Sequence, residues 1–266
     1  MDPKNIGEAV EIYRGMRLEQ RRLDRLPESC TPRDTFEAYE LQNALNARLA
    51  DLDLGAVSGH KIGCTTKVMQ EYLKIDQPCS GGIYANTVYL EQGERAHAEY
   101  CGPGVECEMA VRLGADLGPS GAPYDKDSVA DAVESCMAAI EIVDNRFVDY
   151  TKLGMPTLLA DDFFNAGCVL GAPVSDWRNL DIESLRGEMT INGTSVGSGY
   201  GRDVMGHPFN VLAWLANSFI ERGRYLKAGE FVLTGSLVET KWCEAGDHVR
   251  IEIDDLGSAE MKFTAA

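Results

Sequence analysis

The segment Gly104-Val105-Glu106-Cys107-Glu108-Met109-Ala110-Val111 alternates with the period of an extended strand. That period puts Val105, Cys107, Met109 and Val111 on one face, and Glu106, Glu108 and Ala110 on the other. Two adjacent anions facing one enclosed space repel each other unless a cation neutralises them. Glu141 adds a third carboxylate. It lies in Ala139-Ile140-Glu141-Ile142-Val143, at the end of a predicted helix, where an acid among apolar residues needs a counterion, donors or solvent. Three carboxylates from two elements offer a hard cation such as Mg2+ an oxygen site with positions left for substrate and water. The same residues also fit alternating surface charge on an edge strand, with Glu141 facing water at a helix terminus. The pattern alone leaves both readings open.

Around this stretch the chain divides by pattern. Up to about residue 27 it is polar and rich in Arg and Glu. Thr31-Pro32-Arg33-Asp34 then carries helix-start chemistry, with Thr31 as the expected cap. Leu41, Ala44, Leu45, Leu49 and Leu52 follow at helical spacing, and Arg48 on the same side reaches past the edge to solvent. From Tyr84 onward, short strand pieces alternate with Gly-rich turns, at 87–90, 107–113, 168–170, 187–191, 231–234 and 248–253. Asn192-Gly193 marks a tight hairpin. Two helices are predicted among these strands. One covers 126–141, with Val129, Ala132, Val133, Cys136, Ala139 and Ile140 as its apolar stripe. The other covers 208–222, beginning at Pro208 and stopping at Gly223. Regular βα alternation and a Gly-rich phosphate loop are both absent, which argues against a doubly wound sheet.

Charge narrows the ligand class. With 25 basic and 42 acidic residues the formal net charge is −17, so a nucleic acid or an anionic membrane would be repelled. A small anionic substrate is not excluded, because a bound metal and a few cations reverse the potential inside one pocket. Eight cysteines are scattered without a CxxC pair, and neither a signal segment nor an 18-residue apolar span occurs. A cytoplasmic protein with reduced cysteines is the expectation.

Two further segments carry candidate chemistry. In Gly59-His60-Lys61-Ile62-Gly63-Cys64, a lysine near a metal binds a substrate carboxylate or helps move a proton; an exposed lysine fits the same pattern. His60 is a possible base whose direction the neighbours do not fix. Leu233-Thr234-Gly235-Ser236 presents hydroxyls and a Gly-permitted turn to a carboxylate, or is a structural β-turn. Gly206-His207-Pro208 reads as a helix-start bend.

Together these segments resemble the 2-keto-4-pentenoate hydratase family, in the hydratase/decarboxylase branch of the fumarylacetoacetate hydrolase superfamily. The matching pieces are Lys61-Ile62-Gly63, Asp76-Gln77-Pro78, Val105-Glu106-Cys107-Glu108, Ala139-Ile140-Glu141, Ala160-Asp161-Asp162, Gly206-His207-Pro208 and Leu233-Thr234-Gly235-Ser236, in order over about residues 55 to 260. The resemblance implies an α+β fold, a mixed β-roll with a smaller helical N-terminal region. It divides the chain into an N-terminal α/β cap region, residues 1–83, and a β-roll metal-binding catalytic domain, residues 84–266. It also implies a homo-oligomer. Glu106, Glu108 and Glu141 match ligands to Mg2+ or Mn2+, Lys61 the active-site lysine, and Thr234, Gly235 and Ser236 a substrate-side loop. Cys79 and Asp161 are pocket candidates. Where the family hydratases carry an acidic residue directly after Asp-Gln-Pro, this chain has Cys79, whose intrinsic pKa and geometry are not those of a carboxylate base.

The implied activity is metal-dependent hydration of a 2-hydroxy-2,4-dienoate, or its 2-keto tautomer, to a 4-hydroxy-2-oxo acid. The alternatives are decarboxylation of a vinylogous 2-oxo dioic acid, C–C hydrolysis of an acylpyruvate, and a non-catalytic binding protein.

Overall fold

The alternating acidic segment forms a strand longer than its pattern, β5 (Pro103–Leu113), in a computed structural model that describes residues 1–66, 70–71 and 75–265. Its neighbour is the long strand β6 (Val133–Asp144). This corrects the helix predicted over 126–141, of which only Lys126–Ala130 is helical. The apolar stripe did fit helical spacing. However, residues 136–143 form a nearly continuous apolar run, and such a run suits a strand buried on both faces equally well. Every residue from Ser135 to Asp144 is buried, which the strand achieves and a one-sided helix would not.

The larger sheet has eight strands. Its order is β2 (Cys79–Tyr84), β1 (Val57–Gly63), β10 (Phe231–Ser236), β5, β6, β7 (Asn165–Leu170) and β3 (Val88–Leu90), with β11 (Lys241–Trp242) pairing on β5. It curls until β2 approaches β7, giving the mixed roll. Ile83, Ala110, Met137, Ala139, Cys168, Leu170, Phe231 and Leu233 form one apolar cluster inside the curl. By the period of two, Glu106, Glu108 and Glu141 share that inner face, and Lys61 lies beside Leu233 in register. The roll interior is therefore apolar at one end and charged at the other.

The outer face of β5 and β6 packs on a second, five-stranded sheet. Its order is β4 (Gln92–Ala96), β13 (Gly257–Thr264), β12 (His248–Ile253), β8 (Arg186–Ile191) and β9 (Thr194–Tyr200). Val105, Cys107, Met109 and Val111 enter this core with Val249, Ile251 and Met261. The β8–β9 turn is the predicted hairpin, with Asn192 and Gly193 at φ 53° and 77°. The helix Pro208–Glu221 starts where Pro208 predicts and ends before Gly223, at φ 71°.

Two N-terminal helices, α1 (Pro3–Leu18) and α2 (Thr35–Ala50), cover the rim of the roll. Leu41, Leu45 and Leu49 are fully buried against Tyr13, Tyr84, Phe147 and Leu158. Asp34, rather than Thr31, caps α2 by accepting from the Glu37 amide at 2.9 Å. The Thr31 hydroxyl is turned back onto the Pro27 carbonyl. No helix among the described residues is long and apolar enough to cross a membrane.

Candidate functional site

Antiparallel pairing sets Glu106 directly opposite Glu141, with Glu108 two residues along β5 on the same face. One oxygen from each lies within 4.8 Å of the others. Glu108 and Glu141 are fully buried, and Glu106 is half-buried. Like charges directly opposite destabilise a strand pair, so this arrangement calls for compensation, and the protein supplies only part of it. Lys61 Nζ is 3.0 Å from Glu141 Oε1, to which the Asn165 side-chain amide also donates. The Gly235 amide donates to Glu108 Oε2 at 2.7 Å, and the Thr240 hydroxyl donates to Glu106. Glu108 Oε1 and Glu141 Oε2 are buried with no hydrogen-bond partner.

Electrostatics follow from this geometry. Burial, then the charges of Glu141 and Glu106, push the Glu108 carboxyl well above its ordinary value, against the pull of the Gly235 amide. Glu106 is raised by burial and Glu141, opposed by Lys61 and Thr240. Burial pulls the Lys61 ammonium down, but Glu141 and Glu106 outweigh it and the net shift is upward. One cation thus stands among three carboxylates. An all-oxygen set with two orphaned buried oxygens is the donor chemistry of a hard divalent ion.

A pH dependence follows. A carboxyl whose folded pKa is raised binds more protons folded than unfolded, so stability falls as pH rises from its unfolded value, about 4.3, through its folded value. Thermal melts in a chelator should show the metal-free wild type losing stability relative to a Glu108→Gln variant from about pH 4 upward, a difference in which the lowered pKa values of His60 and His207 cancel. Adding Mg2+ should flatten the loss. A difference between wild type and variant that stays constant or changes in favour of the wild type as pH rises would contradict the raised carboxyls.

The other sequence candidates divide. The Thr234 and Ser236 hydroxyls donate to the backbone carbonyls of Met109 and of Cys107 and Val238. Of that loop it is the Gly235 amide that touches a carboxylate. Gly235 has φ 107°, and a Cβ there would stand 2.7 Å from Thr65, so both backbone and space require glycine. His60 points away from Lys61, edge-on to Phe219 at 4.8 Å and 3.6 Å from Glu230. His207 caps its helix by accepting from the Phe209 amide.

Asp161 sits outside the carboxylate cluster. Its fully buried carboxylate binds Arg17 Nε at 2.6 Å and Arg146 Nε at 2.8 Å. Arg146 also donates to the Asn165 carbonyl, behind the amide that holds Glu141. Asp161→Asn should therefore destabilise the protein by about 3 kcal/mol or more, since two buried guanidinium groups lose their shared anion. Denaturant unfolding reads this directly, and a loss below about 1 kcal/mol, the scale of an exposed pair, would contradict it.

The residues after Asp161 form an unusual turn. Asp162, Phe163 and Phe164 all have positive φ, at 48°, 46° and 69°, a costly run for residues with side chains. Gly81, opposite Lys61 on β2, lets the turn approach, for a Cβ there would meet the Asp162 carbonyl oxygen at 2.6 Å. The turn brings the Phe163 ring within 5.2 Å of Lys61 Nζ. Sequence reasoning missed Phe163, Asn165 and Thr240. No spacing signal marks them, because each meets the site only through tertiary contacts.

Comparison with known proteins agrees with this architecture. The model of the fumarylacetoacetate (FAA) hydrolase C-terminal domain matches residues 85–264. A 2-keto-4-pentenoate hydratase of Burkholderia vietnamiensis is 31% identical over 266 residues, covering 99% of each chain. A 2-hydroxyhexa-2,4-dienoate hydratase of Comamonas testosteroni is 34% identical over 223 residues, 82% of each. Among solved structures, 4-oxalocrotonate decarboxylase from Pseudomonas putida G7, complexed with magnesium and adipate, superposes with a TM-score of 0.91 at 23% identity, covering 99% of this chain and 98% of that one. That likeness shows the fold. The sequence relationships go further, and by them the chain belongs to the 2-keto-4-pentenoate hydratase family of the fumarylacetoacetate hydrolase superfamily.

Proposed function

We propose that this enzyme hydrates a 2-hydroxy-2,4-dienoate, or its 2-keto-4-enoate tautomer, to a 4-hydroxy-2-oxo acid, using Mg2+ or Mn2+ held by Glu106, Glu108 and Glu141. The observation that carries the reading is the buried carboxylate triad, with two unpartnered oxygens and Lys61 at its edge. The names of the relatives support the reaction class. A bound divalent cation supplies Lewis-acid charge beside the substrate's carboxylate and 2-oxygen, where negative charge develops.

The chain's own residues do the rest. Gly235, Asn165 and Thr240 fix one oxygen each of Glu108, Glu141 and Glu106, so the triad is held before substrate arrives. Lys61, 3.0 Å from Glu141 Oε1, stabilises anionic oxygen on the substrate and passes protons at the pocket. In the reaction the 2-hydroxyl loses its proton and C5 gains one, giving a conjugated enone. Water then adds at C4, and C3 takes the remaining proton. Cys79 shapes the wall near Lys61 and is given no proton-transfer role. The substrate is a small anion, for which the bound cation and Lys61 are the positive partners within an acidic protein.

Further parts of the reading are a cytoplasmic location and a homo-oligomeric working state. Eight unbridged cysteines support the first, and the family resemblance supports the second.

A metal-supplemented panel of dienoates, vinylogous keto diacids and acylpyruvates, with products identified by mass spectrometry, tests the reaction. The expected result is gain of one water by the dienoate alone, abolished by chelator. Loss of CO2 or C–C cleavage as the dominant outcome would overturn it, as would no turnover of any substrate.

A further inference from the structure

Two thiols beside the pocket are unused by the proposed reaction. Strands β1 and β2 pair Gly63 with Cys79, so regular continuation would turn the next residue, Cys64, to the opposite face. Instead Cys64 adopts a left-handed conformation, φ 60°, which breaks the alternation at the strand end. The sulfurs of Cys64 and Cys79 stand 3.8 Å apart, with the Cys79 thiol donating. Cys79 is fully enclosed, whereas Cys64 keeps 7% exposure. The hydrogen bond from Cys79, with help from the Lys61 charge, draws the Cys64 thiol below its ordinary value against burial. Burial pushes the Cys79 thiol up. The two therefore differ in role: Cys64 is the nucleophile and Cys79 the resolving thiol.

We propose that Cys64 and Cys79 form an oxidisable dithiol site that takes hydrogen peroxide and closes to a disulfide. The Cys64 thiolate attacks one peroxide oxygen. An S–O bond forms, the O–O bond breaks, and the departing hydroxide takes up the proton released from Cys64 as water. The Cys79 sulfur then attacks the Cys64 sulfenic acid. The S–S bond forms, the S–O bond breaks, and the hydroxyl leaves as a second water with the Cys79 proton. Two thiols lose two electrons and two protons, and one peroxide becomes two waters.

Closure matters to Lys61. The sulfurs must move from 3.8 Å to about 2.05 Å. A Cβ built on Gly63 would lie 3.3 Å from Cys79 Sγ and 3.0 Å from the Phe163 ring, so sulfur and ring border the same space. The same ring faces Lys61 Nζ. Closing that gap, even when the movement is shared by the two sulfurs, shifts the wall that Phe163 and Lys61 border, and turnover is expected to fall about 100-fold.

The test treats the metal-loaded enzyme with hydrogen peroxide, alkylates remaining thiols, and maps peptides without reduction. The expected result is a Cys64–Cys79 linked peptide and an intact mass lower by two hydrogens. Dienoate turnover should fall about 100-fold and return with dithiothreitol. Cys64→Ser should keep its own starting rate through the treatment and yield no linked peptide. Recovery of both cysteines singly alkylated, or oxidation of Cys64 that stops at the sulfinic acid, would overturn the dithiol site. A linked peptide with unchanged turnover would overturn its effect on Lys61. Only the turnover readout rests on the proposed hydration; if no dienoate reacts at all, the linked peptide in wild-type protein still decides the dithiol site.

Discussion

Replacing Glu108 with Gln should lower metal-dependent kcat/KM by about 1,000-fold or more, because it takes an anionic oxygen from the charge-stabilising centre. The same change should raise the melting temperature of the metal-free protein. Glu108 is buried among like charges with one oxygen unpartnered, so its anion costs stability whenever no divalent ion is bound. A glutamine still accepts from the Gly235 amide through its carbonyl and offers N–H donors toward Glu141. For a chain this size each kcal/mol of relieved repulsion is worth roughly 2 to 4 °C. Calorimetry with and without Mg2+ therefore separates two accounts of the residue. A merely structural Glu108 would give a less stable variant in both conditions. A metal ligand gives a variant stabilised without the ion and indifferent to it.

The second large effect is at Lys61, and its sign is opposite. Lys61→Met should cost about 3 kcal/mol in the metal-free protein, since the buried Glu141 loses its cation. Turnover should fall by about 100-fold to 10,000-fold as the proton-handling group disappears. Mn2+ binding should persist, because every triad oxygen remains. Loss of turnover with metal binding intact assigns Lys61 to the chemistry. Parallel loss of both would assign it to holding the triad.

The two halves of the triad were unequally legible in the sequence. Glu106 and Glu108 could be placed because strand alternation fixes which residues share a face, and β5 obeys it. Glu141 stood out as an acid in apolar surroundings, but its element was misread. Helical spacing and a doubly buried strand both tolerate Cys136, Ala139 and Ile140, and only pairing with β5 distinguishes them. The Gly-rich strands β1 and β2 carried no alternation to read, since Gly81 is set by the approach of the Asp162 turn and not by burial of a side chain. Asn165 and Thr240 were out of reach for a similar reason. They arrive from β7 and from the loop before β11, and a polar residue in either place reads as ordinary surface.

Charge patterning also said less about partners than about the pocket. The excess of acids argues against polyanion surfaces, yet three of those acids are directed inward, where they create demand for a cation. The Asp161–Arg17–Arg146 network shows the contrasting case. Its buried acid is fully matched by guanidinium groups and leaves no oxygen to spare. Buried carboxylates are thus told apart by whether the fold completes their partners.

Isothermal titration of chelator-treated protein with Mn2+ tests this most directly, run beside the Glu108→Gln variant. The triad predicts saturable binding of one ion per chain in the wild type and loss of that binding in the variant. No binding by wild-type protein, or equally tight binding by the variant, would contradict a metal centre at Glu106, Glu108 and Glu141.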